Sequence, residues 1–471
     1  MNEHPVWDHV RRNEAALRAL SDAVWAVPET CYAETQSCSL HAVELKAQGF
    51  RVTEQAAGIP TAVIGEAGVG GPVIGFLGEF DALAGLSQQA DEAHPQPVEA
   101  GANGHGCGHN LLGAASMLAA VAVRDWLAET GTPGRVRYYG CPAEEGGAGK
   151  TFMVRDGAFD DVDVAICWHP HAIPAVMRGS SLANCRVDFE FRGRASHAAA
   201  SPHLGRSALD AAELMNVGVN YLREHMPDSA RIHYAMIDGG GISPNVVQAR
   251  TLVRYVVRDE TAPAMLKLLA RVKNVAEGAA LMTETEVTAT VLAAVSNIIP
   301  NGPLIGAMQR NLDLLGAPEF DDDDRAYADR FRATFSADDI ADAYRGLGLP
   351  ARLDEPLAEA PAPADTPATA LGGSTDVADV SWVTPTVQMW GANYAVGTPF
   401  HSWQMVAQGK SAPALKGMVH AAMVMAATAV DVIGDPDLRA RAKADLAARV
   451  GDGYVCPIAP DAKPPVAAMA G

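Results

Sequence analysis

Two short stretches of this chain concentrate the residue types that hold metal ions and move protons. In NGHGCGH, Cys107 and His109 stand two apart among glycines. Glycine lets the backbone approach closely, so both side chains can turn toward one point. Thiolate with imidazole suits zinc, manganese, cobalt or nickel. A turn carrying polar side chains is the plainer alternative. The second stretch is Glu144-Glu145, directly after a strand-like run. One carboxylate can bind metal while the other acts as general base on a water. A solvated acidic loop is the alternative here.

Single histidines extend the set. His169 ends the run VAICWHP, with His171 as a rival two residues on, and His401 lies far away in GTPFHSWQ. Each alone reads as a structural histidine. Together with Cys107, His109 and a glutamate they fit a two-metal site for amide or phosphate hydrolysis, with one glutamate to spare. No H-E-x-x-H occurs, which argues against mononuclear zincin chemistry. Gly149-Lys150-Thr151 imitates the end of a phosphate-binding loop, but the first glycine of that motif would fall on Glu144. Carboxylates there would face the phosphates, so nucleotide binding is set aside. Ser196-His197 and Ser243-Pro-Asn245 lie on glycine-flanked turns, where substrate contact competes with turn chemistry. Arg258 beside Asp259 reads first as a salt bridge and second as an anion-binding group.

The elements that must position these residues follow from periodicity. A helix is expected over 14–28, ended by Pro28, with strands at Thr61–Gly65 and Val73–Leu77. A helix over 111–127, the strand RVRYYG, a helix at TFMVRDG and the strand VDVAICWHP come next. Strands alternating with helices predict an α/β domain with a mixed, mostly parallel sheet flanked by helices. Sites in such sheets gather at the carboxyl ends of strands. The loops at Glu79–Asp81, His105–Asn110, Pro142–Gly149 and His169–His171 all fall there. From residue 185 the order becomes β-α-β-β-α-β, that of a ferredoxin-like unit. The expected division is 1–184 and 299–471 as one catalytic domain, with 185–298 inserted as an α+β lid. Residues 355–373 read as a long Pro/Ala-rich loop, and roughly the last 15 as a frayed tail.

Composition narrows the function. Of 471 residues, 48% are hydrophobic and 20% charged, ordinary for a folded protein. The formal charge of −20, from 36 basic and 56 acidic residues, argues against nucleic acid and anionic membrane as partners. It leaves open how an anionic substrate would be held. Seven cysteines, an odd number, and no apolar stretch behind the N-terminal charges point to reduced thiols in a cytoplasm.

GEFDALAGL, NGHGCGHNLLGAA, CPAEEGGAGKTFMV, WHP, SHAAASPHLGRSALDA, GGGISPNVVQA and FHSWQ, in this order, resemble the aminoacylase and glutamate-carboxypeptidase family of dinuclear metallopeptidases. The likeness runs from the first helix to about residue 430 and lies with the branch that carries a Cys-Gly-His loop. The resemblance implies a metallo-exopeptidase fold and two divalent metal ions per subunit, manganese or zinc first, cobalt or nickel as alternatives. It implies Cys107 as bridging thiolate, with His109, Glu145, His169 and His401 completing the ligands. Glu144 would be the general base and Asp81 the acid that orients a ligand. His197 and Asn245 would reach substrate from the lid, His197 stabilising the oxyanion, with Arg258 a further substrate-binding candidate. Many relatives carry aspartate where this chain has Asn110, which reads as a subgroup trait. The implied reaction is cleavage of an N-aroyl or N-acyl amino acid, p-aminobenzoyl-glutamate foremost. Alternatives are another amide or aryl amine, such as an indole-acyl amino acid, and a subunit inactive without a paralogous partner. The lid would mediate a homodimer or heterodimer. Two divalent ions would add positive charge where an acidic protein needs it.

Overall fold

The run Val73–Glu79 places no polar side chain before its last position, the signature of a strand covered on both faces. In the computed structural model, which describes residues 3–370, 372–451 and 453–469, it is the centre of a seven-stranded sheet. The strands in chain order are β1 Arg51–Glu54, β2 Val63–Val69, β3 Val73–Glu79, β4 Gly134–Cys141, β5 Val164–His169, β6 Ala175–Val176, β7 Ala183–Arg192, β8 Arg231–Asp238, β9 Arg250–Asp259, β10 Glu286–Val295 and β11 Thr386–Trp390. The large sheet runs β1-β2-β4-β3-β5-β11-β6. Its centre, β4-β3-β5-β11, is parallel, while β1, β2 and β6 pair antiparallel at the edges. The mixed, mostly parallel α/β class read from the sequence is what the chain adopts.

Helices cover both faces. On one, Trp7–Trp25, His109–Thr130 and Ala412–Gly434 pack on Ile74, Phe76, Val136 and Ile166. The last two helices are long and apolar enough to cross a membrane, but 78% and 83% of their most apolar windows are buried inside the protein. On the other face, Leu77, Tyr139, Phe152 and Ala165 share a core that continues into the second sheet.

That second sheet, β10-β7-β9-β8, is antiparallel throughout. Cys185, Val187, Phe189 and Phe191 alternate inward, against the helices Ala208–Leu222 and Ala262–Thr283. Two features were not read from the sequence. β11 enters the sheet between β5 and β6, although more than 200 residues separate it from them in sequence. Of the expected frayed tail, residues 470–471 lie outside the described residues, and residues 458–462 are packed rather than frayed. Tyr454 donates to Asp379 Oδ1 at 2.8 Å, Ile458 is buried, and Arg155 donates to the carbonyls of Ala459 and Ala462 at 3.2 and 2.5 Å.

Candidate metal centre

The carboxyl ends of β3, β4 and β5, together with the loop after β11, converge on one point. β3 delivers Glu79 and, past its end, Asp81; β4 leads into Glu144-Glu145; β5 ends on His169. The glycine loop ahead of helix His109–Thr130 supplies Cys107 and His109. Gly108 has φ +76, and any side chain there would collide with the Tyr394 hydroxyl. His401 arrives from the chain beyond β11, its N–H donating to Gly106 O at 2.9 Å. His401 itself holds φ +55, and Ala143 and Ala148, either side of the glutamate pair, hold +60 and +57. Left-handed non-glycine backbone costs energy and persists where its surroundings enforce it, commonly at functional sites.

The donor atoms form three groups; Glu79, His109 and Glu144 make one, and the other two share Cys107. Cys107, His109 and His169 offer ligand atoms within 4.8 Å of one another, and so do Cys107, Glu145 and His401. The sulfur of Cys107 lies 3.3 Å from His169 Nε2. His401 Nε2 lies 3.4 Å from Glu145 Oε2. His109 Nδ1 faces Asp81 Oδ1 at 2.8 Å, which leaves Nε2 for a metal. His169 Nδ1 donates to Pro170 O at 2.9 Å with the same consequence. His109 Nε2 and Glu145 Oε1 are buried with no hydrogen-bond partner. Orphaned buried donors and acceptors are costly, so the residues present fit a pair of cations. Asp81 also accepts from the Glu145 N–H at 2.9 Å, and thus fixes a ring in one group and a backbone in the other.

The electrostatics divide the acids. Burial, then the charges of Glu79 and Glu145, pushes Glu144 well above the usual carboxylate range. Burial would raise Glu145 as well, but its bond to His401 and the charge of His109 bring it below that range. Burial and the charge of His109 lower His169 to about 4, so its ring is neutral and free to bind metal near neutral pH. Burial, then Glu145, raises the Cys107 thiol.

Two residues that sequence reasoning passed over belong to this centre. Glu79 Oε2 is buried without a hydrogen-bond partner and lies 3.3 Å from His109 Nε2. Its other oxygen lies 2.6 Å from Lys150 Nζ, which also contacts Asp376 Oδ1 at 2.7 Å. Lys150, part of the false phosphate loop, is wholly buried. A lysine opening an otherwise apolar helix beside two acids was the available signal.

Other candidates lie elsewhere. His171 joins none of the ligand groups; its Nδ1 accepts from the Ile173 N–H at 3.1 Å. His197 and Asn245 sit side by side on exposed loops of the unit built on the second sheet, where the Ala198 N–H donates to Asn245 O at 3.0 Å and His197 Nδ1 accepts from the N–H groups of Ala199 and Ala200. The expected Arg258–Asp259 salt bridge is not formed. Arg258 donates to Ser374 Oγ at 3.0 Å, and Asp259 is held by Ser229 and the Glu260 N–H. Neighbours on an extended strand point to opposite faces, which keeps the two apart. Asn110 turns away from the ligands and donates to Ser21 and Gly409 O, both at 3.1 Å.

Known proteins resemble the chain over most of its length. Residues 75–303 match the model of peptidase family M20/M25/M40. The chain is 46% identical to one of the subunits of p-aminobenzoyl-glutamate hydrolase from Escherichia coli K12, covering 92% of each chain. It is 30% identical to the Xaa-Arg dipeptidase of Mus musculus, over 91% of this chain and 88% of that one. Its fold resembles that of a dinuclear metal-binding peptidase of Bacillus subtilis, with TM-score 0.53, 18% identity, and 89% and 99% of the two chains covered.

Proposed function

The chain belongs to peptidase family M20/M25/M40 and is a hydrolase of carbon–nitrogen amide bonds; from that premise we propose that its substrate is p-aminobenzoyl-glutamate, cleaved to p-aminobenzoate and glutamate. The observation that carries the mechanism is the pair of ligand groups joined at Cys107, with the spare carboxylate of Glu144 4.0 Å from His109 Nε2. Cys107, His109 and His169 would hold one divalent ion, and Cys107, Glu145 and His401 the other, manganese or zinc foremost. When bound, such ions polarise the scissile carbonyl and acidify a water. Glu144 accepts a proton from the attacking water and returns it to the amide nitrogen as the C–N bond breaks. A carboxylate whose surroundings favour the protonated form is suited to that second step. Asp81 holds the His109 ring and the Glu145 backbone in register.

The division into a catalytic domain of 1–184 and 299–471 and a lid of 185–298 belongs to the same reading. His197, Asn245 and Arg258 bind substrate from the lid, with His197 on the oxyanion. The lid also joins this chain to a second one. Tyr221, Tyr234, Met236, Ile237, Leu281 and Met282 stand exposed on its helices and edge strand, in support of such an interface. The Escherichia coli relative is named as one subunit of its hydrolase, which favours a paralogous partner. We place the enzyme in the cytoplasm.

Protein reconstituted with manganese or zinc, assayed against N-aroyl and N-acyl glutamates, aspartates and neutral amino acids, tests the proposal. Release of p-aminobenzoate from p-aminobenzoyl-glutamate is expected. Turnover only of other acyl groups would reject the substrate. Activity that appears only after a paralogous chain is added would assign the active form to the heteromer.

A further inference from the structure

Beside the metal centre lies a cavity of about 370 Å³, within the size range of small-ligand pockets. Trp390, Phe400 and His171 form its aromatic wall. Their ring centroids lie 5.2 Å (His171–Trp390), 5.5 Å (His171–Phe400) and 6.4 Å (Trp390–Phe400) apart. The wall is shared with both ligand groups. The His169 ring packs against Trp390 at 5.5 Å and Phe400 at 5.7 Å, and Phe400 is bonded in sequence to His401. Tyr394 also lines the cavity. It is 1% exposed, its hydroxyl has no hydrogen-bond partner, and it abuts Gly108 beside Cys107. Because His171 Nδ1 accepts from the Ile173 N–H, its remaining ring proton sits on Nε2 as a donor.

The far side of the cavity is acidic. Asp339 and Asp342, from helix Ala337–Arg345, line it together with Ala343; Asp342 pairs with Arg345 at 2.8 Å and Asp339 accepts from Ser336, so two carboxylates stand there against one guanidinium. A glutamyl group bearing two carboxylates is repelled there, whereas a flat, uncharged acyl group is not. We propose that this cavity is the subsite for an aromatic acyl group, with Trp390, Phe400 and His171 against the ring, Tyr394 donating to a polar atom next to the scissile carbonyl, and Asp339 and Asp342 excluding anionic acyl groups. The inference rests on the amide-hydrolase reading above and assigns one half of its substrate.

The test uses metal-loaded enzyme and two variants outside the ligand groups, Ala343→Trp, which fills the cavity, and Trp390→Leu, which removes one wall. Either variant should raise KM for p-aminobenzoyl-glutamate about tenfold or more, and Ala343→Trp, which touches no ligand ring, should leave kcat/KM for acetyl-glutamate within about threefold. Direct titration with p-aminobenzoate alone should show binding to the unaltered enzyme, weakened about tenfold or more by each folded variant. Unchanged p-aminobenzoate affinity in a folded variant, or equal losses on both substrates, would overturn the subsite. Absence of amide turnover in the unaltered enzyme would overturn the function, while the titration still decides the subsite.

Discussion

Lys150 Nζ and Glu79 Oε1 meet at 2.6 Å with both side chains shut off from solvent. The same ammonium reaches Asp376, so one buried cation faces two buried carboxylates, and the second oxygen of Glu79 looks onto His109. The lysine therefore sets the charge on the wall behind the metal centre. It does so from a helix whose first residues also carry Thr151, bonded to Asp379 at 2.8 Å.

Replacing Lys150 by Met should strand both carboxylates. Removal of one partner from a buried pair costs about 3–5 kcal/mol. Denaturant unfolding of chelator-treated protein should show a loss of that order. Glu79→Gln combined with Lys150→Met should cost less than the two single changes added together, since the residues interact directly. Strict additivity would mean that the pair is not coupled.

Glu144→Gln should keep metal and lose turnover. General base action contributes about 10²–10⁴-fold, so kcat should fall within that range while metal content per chain matches the unaltered enzyme. A variant with near-normal kcat would move the base to another residue.

The shared sulfur predicts unequal losses. Cys107→Ala removes a ligand from both groups, His401→Ala from one. Metal analysis after dialysis should find both ions lost or weakened in the first variant and one retained in the second. Equal occupancy in the two would contradict a bridging role for Cys107.

Glu34, which accepts from the Ala143 N–H at 2.8 Å, provides a pH test. Burial, then the charge of Asp81, pushes its carboxyl up to about 8. In an unfolded chain glutamate titrates near ~4.3. Between those values the folded state holds more protons than the unfolded one, so this group favours folding less and less as pH rises. Glu34→Gln abolishes that dependence. Relative to the variant, the unaltered protein should lose up to about 1.4 kcal/mol per pH unit across that window. Urea unfolding of metal-free protein at several pH values measures the gap, and parallel profiles would refute the burial argument.

The first half of the fold was legible because its physics is local. Continuous apolar runs ending in Gly, Glu or His mark buried parallel strands and the loops at their ends; Cys107, Glu144 and Glu145 sit on such loops, and His109 and His169 at the element ends beside them. His401 was legible only as a residue type in a motif, because nothing near it in sequence reveals that β11 slots between β5 and β6. Glu79 and Lys150 were hidden for a related reason. A buried charge is intelligible only beside its partner, and theirs are brought together by strand order rather than by spacing. The Arg258–Asp259 salt bridge was misread because adjacency in sequence was taken as proximity, although strand neighbours face opposite ways. The tail was read from composition alone, which cannot register that Arg155 finds the carbonyls of Ala459 and Ala462.

The position of β11 also has a bearing on how the chain is made. From His169 to His401 is 232 residues (401 − 169), which a ribosome emitting roughly 5–20 residues per second needs on the order of 10–50 s to produce. Throughout that interval the nascent protein exposes Cys107 and two histidines without the last ligand or the strand that completes their wall. The proposed group of Cys107, Glu145 and His401 would therefore be complete only when synthesis is nearly over.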